Sequence, residues 1–94
     1  MKLVTIQIYS DPSCAACDRA KNRLARKLAG LRHVFIEEFD IKSDPARCAE
    51  MIARTGGRKT IPQIFIDGVH VGGSDDLAEW DSAGKLDAVL GIES

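Results

Sequence analysis

Cys14 and Cys17 stand three residues apart in a chain with only one other cysteine, Cys48. The thiolate is the form of cysteine that attacks a disulfide, and a thiol is also the group that leaves from one. At C-x-x-C spacing, two cysteines in a helical turn lie close enough to bridge, so the pair can pass through a mixed disulfide and then close on itself. A structural zinc site would need four ligands. No second C-x-x-C and no H-x-x-x-H occurs, and Cys48, His33 and His70 are scattered, so no metal site is expected. An odd number of cysteines argues against a disulfide framework. The alternative to redox chemistry is an incidental pair at a helix start.

The flanking residues define where the pair sits. Leu3 to Tyr9 places Val4, Ile6 and Ile8 at period two and reads as a strand. Asp11-Pro12-Ser13 breaks it. From about Cys14 to Ala29, Cys17, Ala20, Leu24 and Leu28 recur at helical spacings, and Gly30 is a natural stop. The basic run from Arg19 to Lys27 is expected to be mostly a solvated helix face. The cysteines therefore lie where a strand gives way to a helix, whose first N–H groups lack partners and carry partial positive charge. That field favours thiolate at Cys14, the expected nucleophile. Cys17, one turn on and on the apolar side, is expected to be the buried, less acidic, resolving thiol.

Further along, Val34 to Phe39 reads as a second strand. A helix with Asp44 or Ser43 as N-cap and Pro45 near its first position follows to about Thr55, and Gly56-Gly57 ends it. Ile61 to Ile66 and Val69 to Gly72 flank Asp67-Gly68, a two-residue hairpin signal. Ser74 is expected to cap a helix containing Leu77 and Trp80, whose ring is read as packing. A last short helix covers Lys85 to Leu90. His33 and His70 read as surface or strand-edge residues. The order β-α-β-α-β-β-α, with a final α, makes the first two strands parallel and the last two a hairpin. The expected class is α/β: a thioredoxin-like fold, a four-stranded mixed sheet flanked by helices on both faces.

The 94 residues fit one domain, 1–94. A net charge of −1 suggests neither nucleic acid nor a membrane as partner. No apolar run approaches the ~20 residues of a membrane span, and no signal-peptide pattern opens the chain, so a reducing cytoplasm and a monomer are expected.

Three segments carry a resemblance to the glutaredoxin family over essentially the whole chain. They are Ser13-Cys14-Ala15-Ala16-Cys17 with Arg19-Ala20-Lys21, Thr60-Ile61-Pro62-Gln63-Ile64-Phe65-Ile66-Asp67-Gly68, and Gly72-Gly73-Ser74-Asp75-Asp76-Leu77. The resemblance is strongest to small bacterial dithiol members. It implies that Pro62 is cis beside the reactive cysteine, leaving the backbone of Ile61, after Thr60, free to pair with extended glutathione. It implies that Gly72-Gly73 lets backbone approach that ligand. Ser74, Asp75 and Asp76 would hold its γ-glutamyl end, and Arg58 or Lys59 its glycyl carboxylate.

The implied activity is reduction of protein–glutathione mixed disulfides and protein disulfides, with Cys14 attacking and Cys17 resolving. Glutathione is then a co-substrate, glutathionylated or disulfide-containing proteins are the partners, and no prosthetic group is tightly bound. Two positions depart from the family. Ala15-Ala16 replaces Pro-Tyr or Pro-Phe, removing an aromatic ring beside the ligand. Asp11 stands where a Lys is common, an anion expected to oppose the helix field at Cys14. Small residues in place of the active-site proline also fit the family's [2Fe–2S] carriers, the alternative function.

Overall fold

The structure is a computed structural model that describes residues 3–92. Its elements run β1 (Val4–Ser10), α1 (Ala15–Leu28), β2 (Val34–Asp40), α2 (Pro45–Arg54), β3 (Gln63–Ile66), β4 (Val69–Gly72), α3 (Ser74–Ser82) and α4 (Lys85–Leu90). The strands form one sheet in the order β2-β1-β3-β4. β1 and β2 are parallel, as a helical crossover requires, while β3 runs antiparallel to both β1 and β4. This is the mixed α/β arrangement expected from the sequence.

Side-chain alternation divides the sheet into two faces. On one, Val4, Ile6, Ile8, Ile64, Ile66 and Val71 pack with Ala20, Leu24, Leu77, Leu86 and Leu90 of α1, α3 and α4. On the other, Tyr9 and Phe65 meet Met51 of α2, with Phe39, Ile41, Ile52 and Ile61 packed around them. Trp80 is partly buried against the first cluster.

Local chemistry sets most boundaries. Asp44 caps α2, its carboxylate accepting from the Ala46 and Arg47 N–H groups, with Pro45 following. The β3–β4 turn holds Asp67 and Gly68 at φ 49° and 82°, the paired positive values of a type I′ turn.

Two expectations change. The cap of α3 is Gly73, not Ser74. Ser74 opens the helix proper, and the Asp76 carboxylate accepts the Gly73 N–H at 2.9 Å, half of a capping box. The basic face of α1 is also less solvated than expected, because neighbouring elements bring acids to it. Arg23 and Lys27 both pair with Asp81, at 2.8 and 2.9 Å. Lys27 also pairs with Asp87 at 2.7 Å, and Lys21 with Glu38 at 2.9 Å.

Candidate functional site

β1 ends at Ser10, four residues before Cys14, so the central strand delivers the cysteines to one end of the sheet. Asp11 shapes the intervening turn. Its Oδ1 accepts from both the N–H and the hydroxyl of Ser13 at 2.8 Å, and these bonds hold the carboxyl below its ordinary value. Its carbonyl accepts the Cys14 N–H at 3.2 Å. The Asp11 carboxylate is thus engaged with Ser13 in building the turn.

Cys14 is itself the N-cap of α1, with extended backbone. Its Sγ accepts the Cys17 N–H at 3.0 Å, so the sulfur fills the position that a serine or aspartate oxygen takes at other helix starts. The same sulfur lies 3.9 Å from the Ile61 carbonyl oxygen. Cys14 is half-buried, Cys17 is fully buried, and both are free thiols. Burial above all, then the hydrogen bond with Cys14, pushes the Cys17 thiol up to about 12.

Antiparallel pairing of Tyr9 with Gln63 sets the loop before β3 beside the loop after β1. The Ile61–Pro62 bond is cis and Pro62 is buried. Gly73 lies against this segment, since a Cβ there would meet the Pro62 carbonyl oxygen at 3.4 Å. Gly72 has φ +120°, and a Cβ on it would run into the Asp76 carboxylate. Arg58 Nη2 stands 3.8 Å from Asp76 Oδ2, both side chains partly exposed.

Contacts therefore run from Cys14 through Ile61 and Pro62 to Gly73, Asp76 and Arg58. Ser74 and Asp75 occupy the first turn of α3, half-buried and exposed respectively. Thr60 and Lys59 are exposed in the loop. Among the described residues no cluster of three or more histidine, cysteine or acidic side chains could hold a metal ion.

Two residues beside the site received no role from sequence. Gln63 is buried, and its Oε1 lies 2.7 Å from His70 Nε2. A polar residue at the head of an apolar strand was the signal for Gln63. His70 had none, because its neighbour depends on the hairpin register. Ala15 is exposed next to Cys14, and Ala16, at the position of the family's aromatic residue, is half-buried.

The geometry describes a half-buried sulfur at a helix start, a buried second thiol one turn behind it, and the backbone of the cis-proline loop beside them. The glutaredoxin family model matches residues 6–71. The chain is 42% identical over 88 residues to glutaredoxin 3 of Escherichia coli, spanning 94% of this chain and 99% of that one. The solution structure of a glutaredoxin from Brucella melitensis superposes with a TM-score of 0.76 at 47% identity, covering 96% of this chain and 91% of that one. A crystal structure of a buckwheat glutaredoxin–glutathione complex gives 0.74 at 30% identity, covering 92% and 76%.

Proposed function

The chain belongs to the glutaredoxin family, and with it to the thiol–disulfide oxidoreductases; on that premise we propose that it reduces protein–glutathione mixed disulfides and protein disulfides at the expense of glutathione. The observation that carries this reading is the Cys14 sulfur capping α1 while facing the Ile61 carbonyl of the cis-proline segment.

In the proposed reaction, Cys14 thiolate attacks the glutathione sulfur of a mixed disulfide. The old S–S bond breaks, the substrate leaves as its thiolate, and glutathione remains on Cys14. A second glutathione thiolate then attacks that glutathionyl sulfur, releasing oxidised glutathione and restoring Cys14. With a protein disulfide, Cys14 first forms a mixed disulfide with the substrate. Cys17 then attacks the Cys14 sulfur, expels the second substrate thiol and closes Cys14–Cys17, which two glutathiones reopen.

Glutathione would lie extended along Thr60-Ile61-Pro62, pairing with the Ile61 backbone and passing close to Gly73. Its γ-glutamyl carboxylate would meet the N–H groups at the start of α3 near Ser74, and its ammonium Asp75 or Asp76. Arg58, with Lys59 beside it in sequence, would take the glycyl carboxylate. No prosthetic group enters these steps. A monomeric single domain in a reducing cytoplasm completes the proposal.

The deciding assay measures turnover of a glutathione–peptide mixed disulfide with glutathione. Cys14→Ser should abolish it, because a hydroxyl does not exchange with disulfides. Cys17→Ser should keep a substantial fraction, because glutathione resolves the adduct. Equal losses in both variants would rule out the monothiol route. A [2Fe–2S] carrier is the second reading, favoured by exposed Ala15 beside Cys14. Visible absorbance after anaerobic purification with glutathione would identify it.

A further inference from the structure

Gln63 is a fully buried amide in a strand otherwise made of Ile64, Phe65 and Ile66. A buried amide is costly unless its polar atoms are paired. Here Nε2 donates to the Thr60 carbonyl at 3.0 Å and also meets Thr60 Oγ1 at 3.1 Å. A carbonyl only accepts, so this bond fixes the orientation of the amide and turns Oε1 toward His70 Nε2, 2.7 Å away. An amide oxygen also only accepts, so His70 carries its proton on Nε2. A second proton would enter at Nδ1 and leave the bond intact.

The imidazole is itself held. It stacks on Phe65 with ring centroids 4.8 Å apart and planes 23° from parallel, and His70 is the cross-strand partner of Phe65. Arg58, Asp76 and Arg54 are the charged groups around it. Burial, with the field of Arg58, keeps the imidazole below its ordinary value and hence neutral at pH 7. A chain of contacts therefore runs from a ring on β4, through an amide on β3, to a carbonyl in the loop.

Residues 58–62 have no regular secondary structure. Within that loop, the Gln63 amide is what holds the Thr60 carbonyl, next to Ile61. We propose that His70 and Gln63 are positioning residues that lock Thr60, and so aim the Ile61 backbone at an extended glutathionyl ligand relative to the Cys14 sulfur. The inference rests on the glutathione reading above. It predicts a larger effect on binding than on thiol chemistry, because Cys14 takes its short Cys17 N–H bond from α1 itself and only a 3.9 Å contact from the Ile61 carbonyl.

His70→Phe keeps a ring to stack on Phe65 and removes the Nε2 donor. KM for a glutathione–peptide mixed disulfide should rise about three- to tenfold, the worth of one such hydrogen bond. kcat and the rate of Cys14 alkylation by iodoacetamide should change by less than about twofold, and His70→Gln, which can still donate, should recover most of the loss in KM. An unchanged KM in His70→Phe overturns the proposal, as does a matching fall in the alkylation rate. Nitrogen-15 NMR of the wild-type imidazole gives a test that does not depend on any variant folding. The Nε2–H tautomer near neutral pH supports the proposal, and the Nδ1–H tautomer overturns it. Asp76→Asn, whose Oδ1 can still accept the Gly73 N–H, separates the two claims. If Asp76→Asn raises KM and His70→Phe does not, only the positioning role falls. If Asp76→Asn leaves KM unchanged, the assignment of Asp76 to the glutathione site falls.

Discussion

Cys14 and Cys17 share a helical turn and face opposite physical environments. Cys14 Sγ accepts an N–H bond at the positive end of α1, an arrangement that suits a negative sulfur. Cys17 is buried, and burial pushes its thiol up to about 12, so that it stays protonated at pH 8. Removing Cys14 takes away only the lesser causes of that value. In Cys14→Ser, Cys17 should therefore resist a brief pulse of iodoacetamide at pH 8 and label fully in urea; rapid native labelling would refute its sheltered state. Asp11 is a separate case, because it both shapes the turn and brings charge to it. Asp11→Asn keeps the acceptor for Ser13 and deletes the charge. Alkylation of Cys14 at mildly acidic pH should speed up about two- to fivefold at low salt, and the gain should shrink as salt screens the field. Identical pH–rate profiles for Asp11→Asn and wild type would show that the Asp11 charge does not tune Cys14.

The hairpin and the start of α3 work as one unit. β4 ends in Gly72 at φ +120°, and Gly73 then caps α3 with its N–H on Asp76. Gly72→Ala would force a side chain into a left-handed backbone and against the Asp76 carboxylate. It should cost about 1–3 kcal/mol in urea unfolding and raise KM for glutathione by displacing Asp76. Wild-type values for both would mean that the turn relaxes freely. The two-residue turn at Asp67-Gly68 is local and was legible in the sequence. The irregular register between Ile64 and Phe65 was not, although it helps decide which side chains His70 meets.

Across the molecule, α1 is tied to α3 and α4 by charge as well as by the core. The Asp81 carboxylate takes both Arg23 and Lys27, its side chain is only 18% exposed, and the hydrogen bonds from Lys27 and then Arg23 hold it below its ordinary value. A carboxyl lowered by folding contributes stability above its unfolded value, near 4, and loses that contribution as pH falls through the folded value. Asp81→Asn should lower stability by about 1 kcal/mol at pH 7. Its urea midpoint should converge with wild type as pH falls to about 2. A gap that persists undiminished at that pH would assign the effect to packing. No described helix is long and apolar enough to cross a membrane.

The sequence by itself determined the elements and the seat of the chemistry. Period-two and helical apolar patterns, Asp44-Pro45 and Asp67-Gly68 act within a few residues, and C-x-x-C at a strand–helix junction carries its meaning locally. The tertiary structure decided what those elements bring together. Ile61 reaches Cys14 across 47 residues because β3 pairs antiparallel with β1. Arg58 reaches Asp76, and His70 reaches Gln63, only once loop and hairpin are docked. Asp81 turns a basic helix face that reads as solvated into a paired one. Even the cap of α3 moved from Ser74 to Gly73, because Asp76 supplies the acceptor three residues on. The division has one physical cause. Periodicity, caps and turns depend on near neighbours, whereas register and sheet order depend on which apolar faces meet, and these contacts carry no mark in any single segment.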